Sequence, residues 1–167
     1  MDLYLVRHAI AFNRDTGRWP DDSERPLTLD GEERFRRAAR GLRVLVPSVR
    51  LVMSSPFPRA WRTAEILTEE AGWPAPEPCP ALEAGRSVSE AMEALRPQAG
   101  SASVALVGHE PNLSELASTV LTGSAGRLQL EMKKGGVALV RIEGDPRRGS
   151  ARLSWLLTPR ALRSLAR

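Results

Sequence analysis

The chain contains two histidines, and each of them comes directly after a short apolar run. His8 follows residues 3–7, and His109 follows residues 103–108. Continuous apolar runs of this length predict buried strands, and the carboxyl ends of parallel strands are where open α/β sheets bind ligands. We therefore expect the two imidazoles to meet at one sheet edge. Arg7 stands beside the first imidazole, and this combination suits phosphoryl transfer.

A third segment brings a second arginine to the same expected edge. Residues 50–54 predict another buried strand, and Arg59 follows shortly after it. Arginine offers a planar fork of donors that matches phosphate oxygens. A neutral imidazole can attack phosphorus, and a protonated one can stabilise phosphate charge. The sequence has no cluster with metal-ligand spacing and no glycine-rich phosphate loop, so we expect neither a metal nor another cofactor.

The segments between these strands have helical patterns. Residues 30–33 (Asp-Gly-Glu-Glu) have the pattern of a capping box, and apolar residues follow at helical spacing until Pro47. Further helices are predicted over residues 57–71, 87–96 and 112–122. Near the end of the chain, residues 136–142 and 151–157 predict two strands joined as an antiparallel hairpin.

Together these elements predict an α/β fold. We expect a three-layer sandwich with a mostly parallel central sheet and a C-terminal antiparallel hairpin strand. The length of 167 residues favours a single domain over residues 1–167. Residues 10–29 lack periodicity and begin where the first strand meets the expected site, so we expect them to face the substrate. Residues 72–86 contain four prolines and predict a second irregular stretch.

The composition narrows the class of partner and the compartment. The net charge is +4, and of the 24 basic residues only Lys133 and Lys134 are lysines. The basic residues are spread along the chain without interleaved aromatics, so we do not expect nucleic-acid binding. No run reaches the roughly 18 apolar residues of a membrane span, and no signal-peptide pattern is present. The single cysteine, Cys79, agrees with a reducing compartment, and we expect a cytoplasmic protein with no membrane partner.

Four short motifs carry a resemblance to a known family. They are Leu5-Val6-Arg7-His8-Ala9, Arg25-Pro26-Leu27-Thr28 followed by Gly31, Ser55-Pro56 with Arg59-Ala60 and Thr63-Ala64, and Gly108-His109-Glu110-Pro111. In this order they resemble the histidine phosphatase superfamily, which is phosphoglycerate mutase-like, and within it the short SixA-type phosphohistidine phosphatases. The resemblance extends from residue 2 to about residue 158.

The resemblance implies a role for each of four side chains. His8 would be the nucleophile that becomes transiently phosphorylated. Arg7 and Arg59 would clamp the phosphoryl oxygens. His109 would be the second imidazole, which donates to an equatorial oxygen of the phosphoryl group.

Other positions are assigned less directly by the resemblance. Asp22 and Arg25 fall where this branch places further polar residues that bind substrate. Ala9 stands where the superfamily usually has glycine, and a positive φ there would strain an alanine. Glu83 is near the place of the glutamate acid of phosphomutase-like members but one residue early, so it is a candidate general acid.

We therefore expect a metal-independent phosphatase that acts through a phosphohistidine intermediate. An alkoxide leaving group benefits from a general acid, whereas a phosphorylated imidazole leaves more easily. Since the acid is misplaced and the chain has no long lid insertion, a phosphohistidine on a signalling or carrier protein is the favoured substrate. The first alternative is a phosphomonoesterase for small nucleotide or sugar phosphates. The second is a non-catalytic module that binds phospho-ligands.

Overall fold

The computed structural model of the protein describes residues 1–166, and within them six strands form one mixed sheet. The strands are β1 (Asp2–Arg7), β2 (Leu51–Ser54), β3 (Glu77–Pro78), β4 (Ser103–Gly108), β5 (Val137–Ile142) and β6 (Ala151–Leu157). Their order across the sheet is β3-β2-β4-β1-β5-β6. The first four run parallel, while β5 pairs antiparallel with both β1 and β6. The predicted mostly parallel sheet with a C-terminal antiparallel hairpin is confirmed.

Five α-helices surround this sheet. They are α1 (Leu29–Leu45), α2 (Pro58–Ile66), α3 (Val88–Leu95), α4 (Asn112–Thr122) and α5 (Pro159–Leu165). A π-helical turn, Leu67–Ala71, continues α2, and short 3-10 turns occupy Asp22–Glu24, Pro80–Leu82 and Arg96–Gln98. Helix α5 and the short strand β3 were not predicted from the sequence. No helix among residues 1–166 is long and apolar enough to cross a membrane.

The start of the first helix differs from its predicted form. The hydroxyl of Thr28 accepts the backbone N–H of Gly31, so Thr28 is the N-cap and α1 begins at Leu29. The predicted capping box at residues 30–33 is therefore wrong. Thr28 and not Asp30 is the N-cap, because the Thr28 side chain lies just before the first turn and can accept one of its free backbone N–H groups.

The side chains of the strands alternate between two apolar cores. Tyr4 and Val6 of β1 face one core, which α1, α2 and α5 cover. Leu3 and Leu5 face the other core, which α3 and α4 cover. Because successive side chains of a strand point to opposite faces, a central sheet buried on both sides reads as a continuous apolar run. The three-layer α/β sandwich is confirmed.

The strand register brings the three candidate segments to one edge of the sheet. Arg7 lies opposite Gly108 in the β1–β4 ladder, and Ser54 lies opposite Val107 in the β2–β4 ladder. One further backbone hydrogen bond continues each ladder. The N–H of His8 donates to the carbonyl of Gly108 over 3.0 Å, and the N–H of the residue after Ser54 donates to the carbonyl of Val107 over 2.9 Å. Residues that follow β1, β2 and β4 thus emerge side by side at the carboxyl edge.

Candidate active site

His8 lies at the centre of this edge in a buried, neutral form. Its ring nitrogen Nδ1 is 2.7 Å from the carbonyl oxygen of Ala9. A carbonyl can only accept, so Nδ1 carries the ring hydrogen and Nε2 keeps a free lone pair. Burial lowers the pKa of His8 to about 3, and the charges of Arg59, Arg7 and Lys134 act in the same direction. At neutral pH the ring is therefore an uncharged base surrounded by cations.

Arg59 lies in the first turn of α2, and its side chain is only 3% exposed. Its Nη1 donates to the backbone carbonyl of Asp22 over 2.7 Å, and Nη2 donates to the Asp22 carboxylate over 3.3 Å. Helix α2 is tied to the residue after His8 by Thr63, whose hydroxyl accepts from Ala9 N–H and donates to the Arg59 carbonyl. The helix thus positions the guanidinium relative to His8.

Asp22 holds a second buried guanidinium as well. Arg25 donates from Nε to the Asp22 carboxylate over 2.9 Å and from Nη1 to the carbonyl of Phe12 over 2.6 Å. These contacts lower the pKa of Asp22, chiefly through the hydrogen bond from Arg25, so its carboxylate stays charged. Asp22 therefore links the irregular segment before α1 to Arg59.

His109 follows β4 and faces His8. The centroids of the two imidazole rings are 5.1 Å apart. The Nε2 of His109 is 2.9 Å from the hydroxyl of Ser55, which itself accepts the N–H of Phe57. Burial, followed by the proximity of His8, lowers the pKa of His109 to about 2. When the Ser55 hydroxyl donates to Nε2, the neutral ring carries its hydrogen on Nδ1.

Arg7 completes the group from the end of β1. Its Nη1 donates to the carbonyl of Met132 over 2.6 Å. Within residues 1–166, three buried nitrogens of this site lack a hydrogen-bond partner: Nε of Arg7, Nε of Arg59 and Nδ1 of His109. A buried donor without a partner costs about 1–3 kcal/mol. Such donors around a neutral imidazole make a site suited to a multivalent oxyanion.

Comparison with known proteins agrees with this geometry. Residues 3–83, which include His8, Arg25 and Arg59, match the model of the histidine phosphatase superfamily, branch 1. An uncharacterized protein of Picosynechococcus sp. is 35% identical over 143 residues, which are 84% of this chain and 85% of that protein. The structure of the protein histidine phosphatase SixA complexed with tungstate has 26% identity and a TM-score of 0.83, and the match covers 97% of this chain and 99% of that one. The chain belongs to the histidine phosphatase superfamily.

Other members of the fold act on small molecules. A mycobacterial glucosyl-3-phosphoglycerate phosphatase shares the fold at 18% identity and a TM-score of 0.67, with 94% of this chain and 99% of that one covered. As a member of the histidine phosphatase superfamily, the protein is a phosphatase, and the predicted resemblance is confirmed. A non-catalytic binding module is thereby set aside.

Two departures from the superfamily pattern have a structural outcome. Ala9 is buried, and no residue other than glycine among residues 1–166 has a positive φ, so the backbone at this position does not strain an alanine. Glu83 follows the 3-10 turn Pro80–Leu82, and its carboxylate pairs with Arg86 over 3.1 Å. The structure thus brings together Arg7, His8, Arg59 and His109, and it adds Asp22 and Arg25 around Arg59. It pairs Glu83 with Arg86.

Two further charged groups near the site were given no site role by the sequence analysis. Lys134 lies close enough for its charge to lower the pKa of His8, because the backbone N–H of Gly135 bonds to the carbonyls of Arg7 and His8. Glu110 is half-buried, and burial raises the pKa of its carboxyl group. The sequence offered one indication that Lys134 is special: it is one of only two lysines in an arginine-rich chain.

Proposed function

We propose that this phosphatase removes the phosphoryl group from phosphohistidine on a signalling or carrier protein, through transient phosphorylation of His8. The observation that carries the proposal is the contact between His8 Nδ1 and the carbonyl oxygen of Ala9, 2.7 Å apart. The Nδ1–H of His8 is held by the Ala9 carbonyl, and the ring stays neutral at physiological pH. Nε2 is therefore ready to attack phosphorus without prior loss of a proton.

The reaction proceeds in two displacements at phosphorus. In the first, the free ring nitrogen of the substrate's phosphoimidazole already carries a proton taken from solvent. His8 Nε2 then forms a bond to phosphorus as the P–N bond of the substrate breaks, and a neutral imidazole departs. In the second, a water oxygen bonds to phosphorus as the bond to Nε2 breaks. This step releases inorganic phosphate and one proton and returns His8 to its neutral form.

The surrounding donors stabilise the phosphoryl oxygens in both steps. We assign this role to Arg7 and Arg59, each with a buried Nε–H, and to Nδ1–H of His109. Donors held in place before the reaction stabilise developing charge without reorganisation, which is the main requirement of phosphoryl transfer. Because these guanidinium groups supply the countercharge, the mechanism requires no metal.

Asp22 and Arg25 support the site from behind. Asp22 forms ion pairs with Arg59, Arg25 and the exposed Arg14. Its ionised carboxylate would repel a phosphoryl group, so direct contact with the substrate is unfavourable. We therefore assign Asp22 to the positioning of Arg59. Arg25, which the same carboxylate holds, contributes positive charge to the substrate-binding side.

The position of Glu83 supports phosphohistidine over alkyl phosphate esters. The Glu83 carboxylate accepts hydrogen bonds from Nε and Nη2 of Arg86, each over 3.1 Å, and this ion pair occupies the group that would have to protonate a departing alkoxide. Expulsion of an alkoxide needs a well-placed proton donor, whereas expulsion of an imidazole does not. Small alkyl phosphates are then poor substrates, which separates this function from that of a sugar-phosphate or nucleotide phosphatase.

The covalent intermediate can be trapped directly. With ³²P-labelled phosphohistidine protein as substrate and an alkaline quench, we expect one label that is stable to alkali, labile to acid and absent in His8→Ala. His109→Ala is the matched control, because it removes an imidazole of the same site without removing the nucleophile. Label retained in His8→Ala would contradict the proposal.

The substrate class is tested by comparing kcat/KM near neutral pH. We expect phosphohistidine proteins to exceed p-nitrophenyl phosphate, and p-nitrophenyl phosphate to exceed glycerol and sugar phosphates. Glu83→Gln should leave this order unchanged. A sugar phosphate or nucleotide that exceeds every phosphohistidine protein, with a strong loss in Glu83→Gln, would favour the small-molecule alternative.

A further inference from the structure

A basic groove opens beside the phosphoryl site, between the end of β1, the start of α1 and helix α5. It has a volume of about 580 Å³. Its lining cations are Arg7, Arg34, Lys133, Lys134, Arg160 and Arg163, and its remaining lining residues are Ile10, Thr158 and Pro159. We call this surface the α5 groove.

Within residues 1–166, two of the six cations of the α5 groove form an ion pair with a carboxylate and four do not. None of its lining residues is acidic. Two carboxylates lie at its rim: Asp30 pairs with Arg34 over 2.8 Å, and Glu131 pairs with Lys133. Clustered charges of one sign raise the local concentration of oppositely charged partners and speed their association. The α5 groove is therefore a surface for an anionic partner.

The groove adjoins the catalytic centre through Arg7 and Lys134. Arg7 lines the groove and also precedes His8 on β1. Lys134 lines it as well, and the turn that carries Lys134 is bonded to the carbonyls of Arg7 and His8 through Gly135 N–H. A partner protein whose phosphoryl group is bound at His8 can therefore also contact this groove through Lys134.

We propose that the α5 groove binds an acidic, partly apolar peptide segment next to the phosphorylated residue of a partner protein. The inference rests on the proposed function, because the segment belongs to the phosphoprotein substrate. The carboxylates of the segment lie against the lysine and arginine heads, and its apolar side chains lie on Ile10, Pro159 and the aliphatic stems of the cations.

The lining favours a peptide over a small polyanion. A compact polyphosphate gains little from apolar surface, whereas an amphipathic peptide buries it. The charges are also spread over three elements, with Arg34 on α1, Lys133 and Lys134 before β5, and Arg160 and Arg163 on α5. A chain of several residues can contact all three elements at once.

The test uses two double variants with the same change in charge. Lys133→Glu with Arg160→Glu reverses two exposed groove cations. Arg37→Glu with Arg127→Glu reverses two exposed arginines that do not line the groove. None of these residues belongs to the phosphoryl site, so both variants should hydrolyse p-nitrophenyl phosphate at the unmodified rate.

The binding probe is a fluorescent, unphosphorylated peptide rich in Glu and Leu, measured by anisotropy beside its Gln-substituted counterpart. We expect the acidic peptide to bind at least about tenfold more tightly than the neutral one, and its affinity to fall about tenfold or more in the groove variant. The control variant should bind within about twofold of the unmodified protein, and added salt should weaken binding.

Two results would overturn the inference. One is equal peptide affinity in both double variants. The other is a groove that binds tripolyphosphate, lost in the groove variant, but does not bind the acidic peptide. Since the probe carries no phosphoryl group, peptide binding without phosphohistidine turnover contradicts only the proposed function. Phosphohistidine turnover without peptide binding contradicts only the α5 groove.

Discussion

At the scale of single residues, the site combines a neutral base with cations that are held by other groups. His8 can stay uncharged because burial and neighbouring cations both disfavour its protonated form. Both Nη atoms of Arg59 donate hydrogen bonds to Asp22, and within residues 1–166 its buried Nε has no hydrogen-bond partner. The guanidinium of Arg59 therefore has two tasks: its Nη atoms bind Asp22, while its Nε–H can bind a phosphoryl oxygen.

Replacement of Arg59 by lysine tests this requirement. Lysine keeps the charge but cannot bind Asp22 and also present a further donor from a fixed plane. We expect Arg59→Lys to lose about 100–1000-fold in kcat/KM, the usual effect of removing one preorganised donor. Arg37→Lys, on the exposed side of α1, is the control and should be unchanged. Similar, small losses in both variants would remove Arg59 from the site.

At the scale of elements, helix α5 closes the core beside the basic groove. Its residue Leu162 is fully buried, and the Leu162 backbone lies directly against Gly41 of α1. A Cβ built on Gly41 would be 1.8 Å from the Leu162 carbonyl oxygen. The two helices can approach this closely only because position 41 has no side chain.

Gly41→Ala should therefore lower the free energy of unfolding by about 1–3 kcal/mol, the usual range for overpacking. A loss of stability is informative here, because replacing glycine by alanine at an uncrowded helix position raises the free energy of unfolding by up to about 1 kcal/mol. Urea denaturation measures the change. Gly126→Ala is the control, since a Cβ there has no heavy atom within 4 Å and should change stability little. A stabilised Gly41→Ala variant would contradict the close α1–α5 contact.

At the scale of the whole molecule, two buried histidines make stability depend on pH. Both imidazoles are neutral in the folded protein, with their pKa lowered from 6.5 to about 3 for His8 and about 2 for His109. The unfolded chain takes up protons near pH 6.5, whereas the folded chain does not do so until far lower pH. Stability contributed by the neutral rings is thus present above pH 6.5 and is lost as the pH falls toward 3.

When the pH falls from 7 to 5, each histidine should lower the free energy of unfolding by about 2 kcal/mol, because its pKa in the unfolded chain is about 6.5. Urea denaturation at both pH values measures this loss. His109→Gln should show about half the pH dependence of the unmodified protein. The raised pKa of Glu110 acts in the opposite direction and is common to both proteins, so the difference isolates the histidine. Equal pH dependence in the two proteins would contradict a buried neutral His109.

Much of this architecture could be predicted from local patterns. The apolar runs before His8 and His109 predicted parallel strands, because a strand covered on both faces is apolar throughout. Helix α5 was missed because it has only seven residues and few apolar positions. The N-cap of α1 was misplaced by two positions, since both Thr28 and Asp30 are good capping residues and only the path of the chain selects one.

The sequence by itself determined the chemical groups of the site, their order along the chain and the strands that deliver them. Only the tertiary structure decided how these groups hold one another. Asp22 binds Arg59 across 37 positions, and His109 meets Ser55 across 54. The buried environment that keeps both imidazoles neutral likewise arises from several elements at once. Strand periodicity is a local property of the chain, whereas a side chain's partners and its loss of solvent depend on elements that meet only after folding.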